Sequence, residues 1–392
     1  MRQQPGARLT EAVVSKRIAD EFAYAVKLGV GRGFQAPGSG GGSVVEVTEG
    51  RHEKVSKMLD ALFDPRDTSV SLREAYVEMT GDRRFTGQIN RCDRARLTEA
   101  IGTESLPDVL GDAIHRRLVQ EYAETGIYDV YQDMVTIVPV SDFRNQERTR
   151  IGGYGDLPAV AEAGAYLPLN SPGDEKAVYA VTKRGGTETL TLETITNDDV
   201  GVVKQIPIKL ARAAKRTLSE FVLDIPRTNP AIYDGKALFH ADHGNLGSAA
   251  LSSAAVSAGR IAIKRQPEKD SGKRLGIPAR FLWVPDELEE TAFNLFRRNT
   301  NLDADFAQSL QIQVRPVWCW ADANDWCLSA STLDIPVIEL GFLTGNQLPE
   351  LFVQDSPTSG SLFTNDQVTW KIRHIYGATV IDYRGIYQSV VA

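Results

Sequence analysis

The residues with the densest capacity for chemistry are His240-Ala-Asp-His243, two imidazoles and a carboxylate within four positions. Imidazole and carboxylate both ligate metals, and three such groups with one open coordination position would suit a hydrolytic centre. On a helix the two histidines, three apart, could share a face. The following Gly244-Asn-Leu-Gly247 argues for a loop instead, and no third His or Cys lies nearby in sequence. A hydrogen-bonded loop is therefore expected, with no metal ligand and no cofactor-binding residue assigned. A metal-dependent hydrolase built on His240, Asp242 and His243 is the enzymatic alternative.

Other candidates read in the same bland direction. The glycines of 29–42 could cradle a phosphate, but such a loop needs Gly-Lys-Ser/Thr entering a helix after a buried strand. Here a helical pattern precedes the glycines and Ser43-Val-Val-Glu-Val follows them, which is the order of a linker or arm. Trp318, Trp320 and Trp326 bracket Cys319 and Cys327. An aromatic ligand cage is one reading; two strands joined by a turn over 321–325, with the rings supplying core, is the simpler one. No Gly-x-Ser-x-Gly elbow, no Cys beside a base and no carboxylate–His–Ser grouping stands out, so no catalytic residue is assigned and an enzyme is not expected.

Charge is more informative. Lys209, Arg212 and Arg216 share a helical face near Lys215, and could meet DNA, an acidic neighbour or only solvent. Arg144, Arg148, Arg150, Lys183 and Arg184 are interspersed with Glu147, Asp156, Glu162 and Glu188 on segments poor in large apolar residues. Such alternation suits wet contacts that set register between subunits, and these five cations are the expected inter-subunit residues. Over the whole chain, 44 Lys plus Arg against 51 Asp plus Glu leave a net charge of -7, unlike a dedicated nucleic-acid binder. The cysteines, Cys92, Cys319 and Cys327, show no paired metal or redox spacing, which suits synthesis in a reducing cytoplasm. No run of roughly 18 apolar residues exists and 1–27 lacks a signal-peptide pattern, so neither a membrane span nor secretion is expected.

At 392 residues, with 42% apolar and 24% charged residues, the chain should fold into two or three sub-structures. Apolar spacing predicts helices over 10–28 and about 53–63, one beginning at Ser71-x-x-Glu74, and one after Ser105 with a stripe at Leu110, Ile114, Leu118 and Tyr122 and a stop at Gly126. A strand is expected at 134–140. Two polar, strand-like segments follow, 143–161 and 176–191, around a turn-rich tip at 169–174 with Pro172-Gly173. If extended, each arm reaches about 50 Å at roughly 3.3 Å per residue, too far to bury itself on its own domain. It is then either disordered or ordered by other subunits. A long helix capped by Asn197 or Asp198 should carry Leu210, Ala214, Leu218 and Phe221 or Val222 on one face, with Pro207 either kinking it or starting a shorter one. Strands at 280–284, 314–320, 326–330 and 337–340, a helix near Asp286, and two final strand runs in 368–389 divided near Gly377 complete an α+β organisation.

Four segments carry a resemblance: Ala237-Leu-Phe-His-Ala-Asp-His-Gly-Asn-Leu-Gly247, Arg280-Phe-Leu-Trp-Val-Pro-Asp-Glu-Leu288, Pro336-Val-Ile-Glu-Leu-Gly-Phe-Leu343, and Trp370-Lys-Ile-Arg-His-Ile-Tyr-Gly377 with Ile381-Asp-Tyr-Arg-Gly-Ile-Tyr387. In order and rough spacing they resemble the major head subunits of phage Mu and its relatives, from about 106 to the C-terminus and best after Ala237. The resemblance implies the Hong Kong 97 capsid fold: 1–104 as N-terminal arm or scaffold-like helical segment, 105–142 as the start of a peripheral domain, 143–191 as an extended loop, 192–223 as the spine helix, 224–349 as the axial domain and 350–392 as return strands of the peripheral domain. It implies a tailed double-stranded DNA phage or prophage, hexamers and pentamers of the chain, an icosahedral shell, and a place in the virion after synthesis in the host cytoplasm. Implied partners are portal, scaffold or protease and decoration proteins, with packaged DNA touched without sequence preference. Some members of the fold crosslink subunits through a loop lysine, and Lys176 and Lys183 lie in the matching region. An encapsulin-like compartment shell is the nearest alternative.

Overall fold

The fourteen-residue strand β11 (Gln367–Val380) alternates Trp370, Ile372, His374 and Tyr376 on one face. The structure is a computed structural model that describes residues 51–64, 74–75, 77–78, 106–166, 168–169, 171–191, 200–296, 310–354, 364–365 and 367–391. These fall in one of two units of the chain, Gly50–Ala392; the other, Met1–Glu49, with the helix expected over 10–28 and the glycines of 29–42, lies outside the described residues. So do Ser71 and the caps expected at Asn197 or Asp198, whereas Glu74, Ala75, Val77 and Glu78 are helical.

Along one edge β11 pairs antiparallel with β4 (Thr182–Thr191), from Gln367 opposite Thr191 to Tyr376 opposite Thr182. Its other edge takes β10 (Glu350–Gln354) and then β9 (Ile338–Leu343), and β9 carries β1 (Val135–Val140) in parallel. A second sheet runs β5 (Leu246–Gly247), β12 (Ile386–Ser389), β8 (Trp326–Ala330), β6 (Ala279–Val284), β7 (Gln313–Pro316). One apolar core joins the sheets, from Leu218 and Val222 through Leu282, Trp283 and Trp326 to Leu340 and Tyr376. β2 (Gln146–Ile151) and β3 (Asp174–Tyr179) form a separate antiparallel pair.

Helices α1 (Arg51–Phe63) and α2 (Leu106–Glu124) match their expected positions, and Ile114, Leu118 and Tyr122 of the α2 stripe are buried. Helix α3 (Val200–Thr228) packs on α2, with Leu118, Tyr122 and Ala211 meeting Leu351 and Ile372 of the sheet. It runs through Pro207 and on past Val222 to Thr228, so Pro207 lies inside one helix and does not start a second. Lys215 is 3% exposed, and its ammonium donates to the Tyr122 carbonyl and to Asp129, both at 2.8 Å. That cation sits at the carbonyl end of α2, where the helix dipole favours it. Arg212 is held by Glu121 at 2.9 Å. Arg216 also lies 4.0 Å from Glu220, so Arg212, Lys215 and Arg216 all meet carboxylates of their own chain. In the second sheet, α4 (Ser253–Arg265) starts where the Ser252 hydroxyl accepts from the Ala255 N–H. α5 (Glu289–Phe296) follows a short 3-10 turn at Asp286–Leu288, as the spacing predicts.

Three expectations change. The arm expected over 176–191 divides between two partners: up to Tyr179 it pairs with β2, and from Thr182 with β11. Tyr179 and Val181, buried with Val140 and Ile375, fix the crossover in the core. Gly185 then lets the backbones close, because a Cβ there would lie 2.1 Å from the Ile372 carbonyl oxygen. The second correction concerns 314–320, where the strand stops at Pro316, which cannot donate to a ladder. β7 pairs in parallel with β6, so it forms no hairpin with β8 across 321–325. Trp320 and Trp326 are core, while Trp318 is 36% exposed. Third, the final runs do not divide at Gly377. β11 passes straight through it, because a Cβ there would meet the Ala180 carbonyl oxygen at 2.4 Å, and the chain breaks at Tyr383–Gly385 before β12 enters the other sheet.

His374 is 5% exposed beneath these helices, with its Nε2 3.1 Å from the Gln347 carbonyl and its ring against Phe342, Tyr122 and Tyr376. Burial, helped by the Arg184 charge, pushes its pKa down from 6.5 to about 4. The folded state thus holds the neutral ring while the unfolded chain protonates near 6.5. Its contribution to stability is complete above pH 6.5 and drains away as pH falls toward 4, at up to about 1.4 kcal/mol per pH unit. Urea midpoints measured between pH 7 and 4 should fall less steeply in His374→Gln than in the unaltered chain. The glycine argument is tested by a pair: Gly185→Val should lower the unfolding temperature by several degrees or abolish soluble protein, whereas Gly186→Ala, whose Cβ meets nothing within 4 Å, should leave it nearly unchanged.

Candidate functional site

The His240–His243 segment folds as the loop its glycines indicate. A 3-10 turn spans Ala241–His243, and Gly244 closes it at φ 61. His243 has both ring nitrogens engaged by the chain, Nε2 with Asp234 Oδ2 at 2.7 Å and Nδ1 with the Leu238 carbonyl at 3.1 Å. Its ring stacks on Tyr383 at 3.9 Å. Burial raises the Asp234 carboxyl, but hydrogen bonds from His243 and the Lys236 N–H outweigh it and leave the acid below its ordinary range. Asp242 turns away to Lys236 at 2.7 Å, and His240 Nδ1 accepts from the Asp242 N–H. His243 and Asp242 are thus committed to Asp234 and Lys236, and no group of three metal-ligating side chains converges among the described residues. Burial pushes the Cys319 thiol up to about 11 and the Cys327 thiol higher still, so neither is a ready nucleophile.

The feature with unspent surface is the β2–β3 hairpin. Its ladder is six residues on each side, Gln146 opposite Tyr179 to Ile151 opposite Asp174, about 20 Å long. Pro172-Gly173 enters β3 instead of forming the tip: the Gly173 carbonyl accepts from the Gly152 N–H. The 22 residues between the strands carry Tyr154, Leu157 and Tyr166, which are 57%, 79% and 87% exposed, and Ile151 beside them is exposed as well.

The hairpin's root is tied to the chain's own body. Glu175, on β3, meets Arg384 through two contacts of 3.1 Å and Arg150 at 3.6 Å, and accepts from the Tyr233 hydroxyl. Asp382, fully buried, pairs with Arg150 and Arg384. Two cations and two anions therefore alternate. Burial alone would raise the Glu175 carboxyl, but the hydrogen bond and charge of Arg384, with Arg150, bring it below its ordinary value. Arg148, two positions before Arg150 on the same strand face, donates to Glu339 at 2.5 Å, which also accepts from the Tyr179 hydroxyl at 2.7 Å. The backbone around 268–274 adds a strap, with Gly153 N–H donating to the Lys269 carbonyl and Gly173 N–H to Asp270. The expectation that the hairpin's arms are either disordered or ordered by other subunits is corrected at the root, which is held by the chain's own body because buried charges demand partners.

The five sequence-selected cations are not brought together. Arg148 and Arg150 serve the root. Arg184 lies over the rings of Phe221 and Tyr376 at 4.2 and 4.3 Å and donates to the Tyr376 carbonyl. Lys183 sits 5.0 Å above the Phe143 ring, and Arg144 is 90% exposed beside Asp142. Lys176 pairs with Glu147 at 2.6 Å on the surface. Sequence reasoning missed Glu175, Glu339, Asp382 and Arg384. A signal existed for three of them: Glu339 interrupts Pro336-Val-Ile-Glu-Leu, and Asp382 and Arg384 interrupt Ile381-Asp-Tyr-Arg-Gly-Ile, so each is a charge inside an apolar run.

Removing one member of this partly buried quartet should be far worse than removing a surface pair. Glu175→Gln leaves Arg150 and Arg384 to share Asp382 as their one carboxylate and should lower the stability read from urea midpoints by about 3 kcal/mol or more. Lys176→Ala should change it by less than about 1 kcal/mol.

Comparison with known proteins gives one sequence match. The family described as phage capsid protein matches residues 174–389, more than half of the chain. No curated protein matches. Among solved structures, one from Mycobacterium phage Bobi is 10% identical over 67% of this chain and 90% of its own, with a TM-score of 0.47. One from Microbacterium phage Oxtober96 has the same identity and coverage at 0.45. The capsid asymmetric unit of cyanophage Pam1 is 13% identical over 62% of this chain and 84% of its own, at 0.41.

Proposed function

The chain belongs to the phage capsid protein family, and we propose that it is the shell-building subunit of a tailed double-stranded DNA phage or prophage. Its role is structural, and its fold is α+β, of the Hong Kong 97 kind that the resemblance implied. Hexamers and pentamers of the chain would close an icosahedral head around the genome. In that scheme 192–223 is the spine helix, 143–191 the extended loop, 224–349 the axial domain, and 105–142 with 350–392 the peripheral domain, while 1–104 is the arm. Portal, scaffold or protease and decoration proteins are the further partners, and the virion is the destination. Among the described residues no helix is long and apolar enough to cross a membrane.

The observation that supports assembly most is the hairpin's division of labour. Its root is fixed by buried charges, yet its distal segment leaves Tyr154, Leu157 and Tyr166 largely in water. A fixed root with an uncovered apolar end suits a contact completed by another molecule. Arg144 and Lys183, which remain at the surface, are the members of the expected inter-subunit set best placed to meet a neighbour; Arg148, Arg150 and Arg184 would act by holding the hairpin in position. Each contact can be weak, since every subunit meets several neighbours at once.

Purified full-length protein viewed by negative-stain microscopy should show closed shells tens of nanometres across. Persistent monomers across a range of salt and pH would contradict the reading.

A further inference from the structure

A neutral imidazole carries one N–H and one bare nitrogen, so it donates at one end and accepts at the other. His243 is given two acceptors instead. Its Nδ1 faces the Leu238 carbonyl at 3.1 Å and its Nε2 faces Asp234 Oδ2 at 2.7 Å. Its side chain is only 3% exposed, which leaves bulk water little access to the ring. Both contacts are hydrogen bonds at once only if the pair holds one proton more than a carboxylate beside a neutral ring. Asp234 is the poorer home for that proton. Its Oδ1 already accepts from the Lys236 N–H at 3.0 Å, and the bonds from His243 and Lys236 keep the acid below its ordinary range. The proton therefore belongs on the imidazole.

The charged and titratable groups around the ring agree with a cation there. Asp234 and Lys236 lie on the preceding loop, and His240 and Asp242 on the same turn. Lys236 is taken up by Asp242 at 2.7 Å, and the His240 ring stands 5.9 Å away. Tyr383, from the connection between β11 and β12, stacks its face on the ring at 3.9 Å, a contact that favours positive charge. Arg384 lies 4.7 Å from the same tyrosine.

The turn that His243 closes is a junction. Gln266, at the end of α4, donates to the His243 carbonyl at 2.7 Å. Asn245 donates to the Leu238 carbonyl and accepts at its own carbonyl from the Gln388 N–H of β12. Leu246–Gly247 then forms β5, the outermost strand on β12. We propose that His243 is a proton-operated clasp: doubly protonated, it ties Asp234 and Leu238 to the 240–247 turn and to Tyr383, and losing one proton as pH rises opens one of its two bonds and loosens β5 on β12.

The unfolded chain releases a histidine proton near pH 6.5, whereas the folded clasp keeps it. Stability from the clasp is thus complete below 6.5 and declines above it, by up to about tenfold in the folded-to-unfolded ratio per pH unit, until the folded ring also lets go. His374 has the opposite sign and acts below 6.5. The buried thiols of Cys319 and Cys327 contribute only where unfolded cysteines ionise, above about pH 8.5. The window between is left to the clasp.

Two measurements on free full-length subunits test it, and neither requires assembly, so they stand or fall apart from the reading above. NMR of subunits carrying 15N-labelled histidine at pH 7, with His243 assigned by its absence in His243→Gln, should show both of its ring nitrogens protonated. One bare nitrogen would overturn the proposal. Urea unfolding between pH 6.5 and 8 should lower the folded-to-unfolded ratio of the unaltered chain by about tenfold. Asp234→Asn still accepts from the Lys236 N–H and offers Nε2 a donor, so a neutral ring satisfies it. That variant should lose most of the slope while remaining folded, and a slope equal to that of the unaltered chain would count against the clasp. If Asp234→Asn does not fold, the ring nitrogens of the unaltered chain decide the matter alone.

Discussion

The pairing of Arg150 and Arg384 with Glu175 and Asp382, in which Arg384 and Asp382 are buried and the other two half-buried, joins parts of the chain that backbone pairing alone leaves separate. Arg150 and Glu175 lie on the two strands of the hairpin, whereas Asp382 and Arg384 lie on the connection between β11 in one sheet and β12 in the other. Charges as deep as Asp382 and Arg384 are tolerated only when they are neutralised, so the hairpin root that supplies Arg150 and Glu175 has little freedom to shift relative to that connection. Arg148 on Glu339 extends the constraint to β9. The direction of the hairpin is thereby a property of the folded core and not of the loop.

From that fixed root the remaining geometry follows. The chain leaving β3 crosses through buried Tyr179 and Val181 and becomes β4, whose Gly185 lets it lie close along β11. Gly186, opposite Ile372, leaves the sheet face open beneath α3. Beyond the root, in the other direction, the segment between Ile151 and Asp174 has no sheet to join, and its apolar side chains stay in solvent. Among the described residues, one root therefore lies between an uncovered projection and a half-open cleft.

Much of the fold was legible in the sequence because its signals are local. The apolar stripe of α2, the strand at 135–140 and the loop character of Gly244-Asn-Leu-Gly247 depend on residues a few positions apart, and all three are found. What could not be read was pairing at a distance. The run 176–191 has uniform strand composition, and nothing within it says that Tyr179 and Thr182 belong to different ladders. Gly377 looks like a break in sequence and is instead a site of close backbone approach, a distinction that requires knowing what lies opposite. The cations on the hairpin were recognised as important, but the carboxylates that Arg148 and Arg150 meet at Glu339 and Asp382 sit far along the chain, the nearer of them 191 positions away. Charges embedded in apolar runs were the one available hint of that network.

Amide hydrogen exchange, followed in free subunits and in assembled particles, addresses the division between held root and uncovered end most directly. Amides of 146–151 and 174–179 should be protected in both states, while those of 154–166 should exchange freely in subunits and become protected only on assembly. Equal protection of 154–166 in the two states would contradict the account.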